Sequence, residues 1–259
     1  KETLYNRKFI EENMETAIAE NQFQMYLQPK YSISQNKIIG AEALVRWYHP
    51  RRGMIYPDQF IPVIEENGFI KKVDYYIWER ACHFIKKCQN AGINACPVSV
   101  NVSRVHLRDN ECIHMLSGLI AQSGIARNLL ELEITETADS QQVSKKAFQL
   151  KEEGFTLLMD DFGSGYSSLN ILLETPFDVI KLDRKFMENM MVSDKGKLIQ
   201  EQVVSMADKL ELGLLAEGVE SKAQIDLLQS IGCDQVQGYY YAKPMPEDEF
   251  FALLKENAL

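Results

Sequence analysis

Long apolar runs are missing from this chain of 259 residues: nowhere do about 18 uncharged apolar residues follow one another, which excludes a membrane-spanning helix. The opening stretch, KETLYNRKFIEENMETAIAEN, lacks the apolar centre of a signal peptide. Histidine is scarce, at four residues, and the five cysteines form no Cys-x-x-Cys pair and meet no histidine at zinc-ligand spacing. That pattern disfavours a zinc site. It favours reduced thiols in a cytoplasmic setting, with Cys82, Cys88, Cys96, Cys112 and Cys233 mostly filling the core. Positive charge is also short: 28 Lys and Arg against 37 Asp and Glu leave a formal charge of −9. Such a surface does not grip a nucleic-acid polymer. A phosphate substrate must then find local positive charge in a few basic side chains or in metal ions. No Pro/Gly/Ser-rich linker and no low-complexity tract divides the chain, so residues 1–259 are expected to form a single domain with an N-terminal helix in residues 1–20.

What is present is alternation. Apolar runs rich in Val, Ile, Leu and aromatics predict strands near 22–31, 38–46, 97–102, 129–135, 155–160, 177–182, 212–216 and 234–238. Segments of helical periodicity fall near 6–20, 57–66, 71–90, 109–122, 142–153, 194–210, 221–230 and 246–257. Eight strands alternating with helices in this length predict an α/β protein, a single TIM-like (β/α)8 barrel.

Barrel enzymes place their chemistry at the carboxyl ends of the strands, and here those ends carry ionisable or amide groups in series. They are Glu42, Asn101, Glu133 with Glu136, Asp160 with Asp161, Lys181 with Asp183, Glu217 with Glu220, and Gln237. One such residue in an apolar strand is unremarkable, but seven consecutive strands carrying one is not, because buried charge is costly unless paired or bound to metal. Glu42, Asn101, Glu133, Asp160 and Asp161 are all hard oxygen donors, which suits Mg²⁺ or Mn²⁺. Charge sets the number of ions. Glu42, Glu133, Asp160, Asp161 and Glu217 bring five negative charges, which two divalent ions and Lys181 cancel, so a loaded site can accept an anion.

The stretch FTLLMDDFGSGYSSLN sets two carboxylates side by side at the end of an apolar strand. Strand alternation sends Asp160 and Asp161 to opposite sides, so both reach one site only if the strand stops and the backbone turns, which Gly163 and Gly165 permit. Paired ions in such a site are a recurrent device for in-line phosphoryl displacement.

The segments EALVRWYHP, VNVS, ELEITET, DDFGSGYSSL, VIKLD, AEGVE and QGYYYAKP follow one another as in the EAL domain family, which the chain resembles from about residue 12 to 257. Each motif alone is weak; their order is specific. The resemblance implies a barrel modified by one antiparallel strand and hydrolysis of cyclic di-GMP to linear pGpG in bacterial signalling. It implies two ions, Mg²⁺ or Mn²⁺, on Glu42, Asn101, Glu133, Asp160 and Asp161. Catalytic roles fall on Lys181, Glu217 and Glu42, and substrate contacts on Gln28 of LQPK, Arg46, Asp183 and Gln237. Glu136 and Glu220 are the implied supporting groups, with Glu136 anchoring the glycine- and serine-rich loop through its N–H and hydroxyl donors. A homodimer is implied, and an upstream sensory or GGDEF domain in a longer, membrane-anchored or cytoplasmic protein is compatible with it. Ser164 and Lys30 are mild departures from the family pattern and remove no ligand.

The remaining conspicuous residues have plainer readings. His49 in RWYHPRRG is expected to stabilise a turn, HPRRG to be a solvated loop, and Met187, Met190 and Met191 to pack under a helix. A binding-only receptor, or a barrel enzyme stabilising an enediolate on Mg²⁺, is the competing function. The complete ligand set with Lys181 and Glu217 argues against the first, and the order of the motifs against the second.

Overall fold

A computed structural model describes residues 2–108, 111–135, 140–163, 168–185, 188 and 194–257. Glu136, Ser164, Gly165, Ser167, Met187, Met190 and Met191 lie outside them. The first half of the chain runs α1 (Glu2–Ala19), β1 (Phe23–Ser32), β2 (Lys37–His49), β3 (Gly53–Ile55), α2 (Pro57–Glu66), α3 (Ile70–Asn90), β4 (Val98–Asn101), α4 (Glu111–Ser123) and β5 (Leu130–Thr135). It continues with α5 (Ser140–Glu152), β6 (Thr156–Phe162), α6 (Ser168–Glu174), β7 (Val179–Leu182), α7 (Asp194–Lys209), β8 (Gly213–Ala216), α8 (Lys222–Ser230), β9 (Gln235–Val236), β10 (Met245–Pro246) and α9 (Glu247–Asn257).

Eight of these strands close a barrel in the order β1-β2-β4-β5-β6-β7-β8-β9, because β1 pairs with both β2 and β9. From β2 through β9 the barrel strands are parallel, while β1 is antiparallel to both neighbours. The alternating strand-helix pattern therefore fails once, at the start: β1 and β2 form a hairpin whose turn includes Asn36 in the left-handed region, φ 46°. Only a few residues separate the two strands, far fewer than a parallel crossover needs.

Strand β2 outruns the barrel. It continues to His49 and pairs with β3 beyond the barrel wall, so Glu42 sits in mid-strand and not at a strand end. The overhang carries Trp47, which joins Phe23, Phe60, Ile64, Ile10 and Ala17 in a second core beneath α1 and α2. Phe9, Ile10, Met14, Ala17 and Ile18, spaced along one face of α1, pack there. Pro50, Arg51, Arg52 and Gly53 of the HPRRG segment are exposed, as a solvated loop requires, and Arg52 lies 3.5 Å over the ring of Phe9 on α1. His49 accepts the backbone N–H groups of Arg51 and Arg52, each at 3.2 Å, which fixes the turn.

The main core links barrel to helices, and one contact ties it to the polar end of the barrel. Trp78 of α3 is fully buried, and its indole N–H donates to the backbone oxygen of Asn101 at 3.0 Å. Trp78→Phe keeps most of the packing but leaves that carbonyl unpaired. It is expected to lower the unfolding free energy by about 1–3 kcal/mol in urea titrations; an unchanged midpoint would remove Trp78 as the pin of β4.

Candidate active site

Lys181 is the centre around which the polar residues gather. Its strand, β7, has neighbours on both sides and its side chain is 1% exposed. The ammonium nitrogen lies 2.5 Å from Glu133 Oε2, 2.8 Å from Glu217 Oε1, 3.0 Å from Asp160 Oδ1 and 3.5 Å from Glu42 Oε2. Three carboxylates on strands and a fourth just past the end of β8 thus converge on one cation. Burial works against the charge of Lys181, but Asp160, Glu133, Glu42 and Glu217 outweigh it and hold its pKa well above the ordinary lysine value.

Amides tie the ring together. Gln237 Nε2 donates to Glu42 Oε2 at 2.6 Å and to Gln28 Oε1 at 3.1 Å. Asn101 Nδ2 donates to Glu42 Oε1 at 3.4 Å, so its amide oxygen is the atom left to meet a cation. Backbone packing brings Glu217 and Gln237 together: Val219 N–H donates to Gln237 O at 3.2 Å and Tyr240 N–H to Val219 O at 2.9 Å. A Cβ at Gly238 would lie 2.1 Å from Val219 O, so only glycine lets AEGVE and QGYY cross.

The paired aspartates reach one site through a bulge, not through the end of the strand. Pairing between β6 and β7 slips between Met159 and Phe162, Asp161 takes φ 58°, and its N–H donates to Asp160 Oδ1 at 3.0 Å. The strand then resumes to Phe162. The left-handed residue rotates Asp161 back to the side that Asp160 faces, and each aspartate can present an oxygen within 4.8 Å of the other and of Glu217.

The other predicted residues surround this cluster. Asp183 and Glu220 line a cavity of about 280 Å³ together with Gln28, Glu42, Lys181 and Glu217. Glu220 is paired at the rim with Arg184, 2.7 Å away. Arg46 is set apart: it lines the adjoining cavity of about 410 Å³, with its guanidinium donating to Val45 O at 2.9 Å and lying 5.7 Å over Tyr26. The sequence reading underrated Lys30, which is buried against Glu133. Strand alternation was the available signal, since a residue two positions from an inward Gln28 also faces inward.

Charge in the ring is not balanced. Burial and Glu133 push Glu42 up to about 7, and burial, with Glu42 and Asp160, pushes Glu217 up to about 8 in spite of Lys181. Burial would also raise Glu133, but Lys181 and Lys30 draw it down to about 2. The donors are oxygens, the negative charge exceeds the positive, and burial together with the neighbouring carboxylates holds Glu42 and Glu217 above the usual carboxylate range. These residues fit a hard divalent ion such as Mg²⁺ or Mn²⁺.

A closed α/β barrel whose strands converge carboxylates and one buried lysine on an oxygen-donor site defines a class with the equipment for divalent cations. The EAL domain family model matches residues 11–244, and the chain belongs to that family. It is 35% identical over 92% of its length to the cyclic di-GMP phosphodiesterase NbdA of Pseudomonas aeruginosa, covering 31% of that protein. It is 32% identical over 91% of its length to the oxygen sensor protein DosP of Escherichia coli, covering 30%. The chain thus spans about a third of these curated relatives. Among solved structures it resembles the PaMucR phosphodiesterase in complex with c-di-GMP, with TM-score 0.87, 30% identity, and coverage of 93% of this chain and 99% of that one. An EAL domain protein from Listeria monocytogenes EGD-e matches with TM-score 0.83, 28% identity and 95% and 98% coverage.

The raised carboxyl pKa values have a thermodynamic consequence. Glu42 and Glu217 keep protons in the folded chain that the unfolded chain releases near 4.5, so the folded state binds more protons between about pH 5 and 8. Metal-free stability should therefore fall as pH rises through that window. Thermal unfolding in chelator across the range checks the sign: a melting temperature that rises over the same interval would contradict the charge imbalance.

Proposed function

We propose that the chain hydrolyses one phosphodiester bond of cyclic di-GMP to give linear pGpG, using two divalent ions, Mg²⁺ or Mn²⁺. The observation that carries this reading is the ring of Glu42, Glu133, Asp160 and Glu217 around Lys181, at the wall of an open cavity in a fold shared with c-di-GMP phosphodiesterases. Glu42, Asn101, Glu133, Asp160 and Asp161 would hold the ions. When bound, such a pair lowers the pKa of the attacking water and stabilises the leaving oxygen.

The protein's own groups supply the rest. Lys181, held protonated, is a donor: it orients the attacking water and spreads the charge of the transition state. The water's proton passes to a carboxylate of the ring; Glu217, at the cavity wall and 2.8 Å from Lys181, is placed to take it once bound cations keep it ionised. Gln237 and Gln28 keep Glu42 in place through their mutual hydrogen bond. A ligand with two bases and two phosphates suits two cavities that share Leu44. The acidic one adjoins the scissile bond. The other, walled by Val45, Pro57, Ile61, Ile70 and Ile77, offers apolar surface for a base, with Arg46 available to a phosphate.

The reading extends to assembly and context. A homodimer is supported by α6, where Leu169 is 58% and Leu173 84% exposed. The family resemblance is the ground for proposing an upstream sensory or GGDEF region in a cytoplasmic or membrane-anchored whole, in keeping with coverage of about a third of NbdA and of the oxygen sensor protein DosP.

Hydrolysis should vanish in EDTA and return with Mg²⁺ or Mn²⁺, while Ca²⁺, looser in geometry, should support binding but poor turnover. Full pGpG formation in chelator would end the two-ion reading. Separately, Lys181→Ala is expected to abolish most turnover yet leave cyclic di-GMP binding largely intact, since its role belongs to the transition state. A kcat within about threefold of native would make Lys181 a structural residue only.

A further inference from the structure

We propose that Lys30 is a positioning residue that sets the net charge of the carboxylate ring through Glu133, so that the site carrying two divalent ions is neutral toward an anionic phosphodiester. This rests on the two-ion reading above. Lys30 lines neither cavity and acts from behind the site. It enters from the antiparallel strand β1, opposite Gly40 of β2. The lysine stem runs beside Gly40, where a Cβ would stand 3.5 Å from Lys30 Cδ.

The ammonium of Lys30 is 5% exposed at the residue level and has three partners: Ser99 Oγ at 2.7 Å, Glu131 Oε2 at 3.2 Å and Glu133 Oε1 at 3.4 Å. Burial opposes its charge, and Glu131 with Glu133 outweighs burial. Glu133 is itself fully buried, with Lys30 on one oxygen and Lys181 on the other. The barrel interior therefore holds a column of alternating sign: Glu131, Lys30, Glu133, Lys181, then the carboxylates of the ring. Fully ionised, the six carboxylates Glu42, Glu131, Glu133, Asp160, Asp161 and Glu217 exceed the two lysines by four charges. Two divalent ions cancel that excess. Without Lys30 the loaded site would keep one negative charge beside a negatively charged substrate, in a place where water screens little.

The test compares Lys30→Met, Glu131→Gln and the double variant, reading Mn²⁺ binding by electron paramagnetic resonance without substrate, and KM for cyclic di-GMP at saturating Mn²⁺. Removing the positive charge should tighten Mn²⁺ binding by roughly fivefold or more and raise KM. Glu131→Gln should loosen Mn²⁺ binding, and the double variant should return both quantities to within about twofold of native. A packing role would not produce opposite signs at two adjacent residues. Mn²⁺ affinity unchanged in both single variants, or weakened in both, overturns the assignment of Lys30. Should Lys30→Met fail to fold, Glu131→Gln decides alone by the direction of its shift. A native chain that binds no Mn²⁺ sinks the two-ion reading and this proposal with it, an outcome distinct from failure of Lys30 alone.

Discussion

One buried ammonium makes the arrangement possible. Glu42, Glu133, Asp160 and Glu217 would repel one another in a low-dielectric interior, and Lys181 within 3.5 Å of all four is what lets them share it. The compensation is incomplete. Burial and the neighbouring carboxylates still push Glu42 up to about 7 and Glu217 up to about 8, a charge stress that a bound cation would relieve. On the proposed two-ion reading that imbalance is what favours a cation, and the lysine limits the repulsion among the carboxylates.

The barrel's irregularities serve that ring. Closure by an antiparallel β1 brings Gln28 beside Glu42 in register, a pairing the strand order would not otherwise supply. The bulge at Asp161 puts two consecutive carboxylates on one side, and the crossing at Gly238 holds Glu217 and Gln237 as neighbours. Each device departs from ideal geometry at a site residue. Local rules are expected to yield where function is placed.

Much of this was legible in the sequence. The eight barrel strands were found within a few residues, because each is an apolar run bounded by helical periodicity, and the series of polar strand ends pointed to the ring before any coordinates. What escaped had specific physical causes. Periodicity alone did not show the antiparallel β1, which the family resemblance implied; the short β1–β2 connection is its physical sign, since it excludes a parallel crossover. Short elements such as β3, β10 and α6 lack the length for a periodic signal. The bulge was missed because left-handed backbone at a non-glycine residue leaves no mark in composition. Lys30 stood only as a mild departure from the family pattern, because its register to the inward Gln28 was not followed. Glu136, expected to anchor the loop after β6, lies outside the described residues, so its role rests on the family resemblance.

The proposed function depends on the ring holding two ions. Anomalous diffraction from crystals of the chain soaked with Mn²⁺ tests it directly. The expected result is two peaks roughly 3.5–4 Å apart among Glu42, Asn101, Glu133, Asp160 and Asp161, with Lys181 displaced from at least one of its carboxylates. No peak at the ring, with Lys181 still bound to all four, would contradict it.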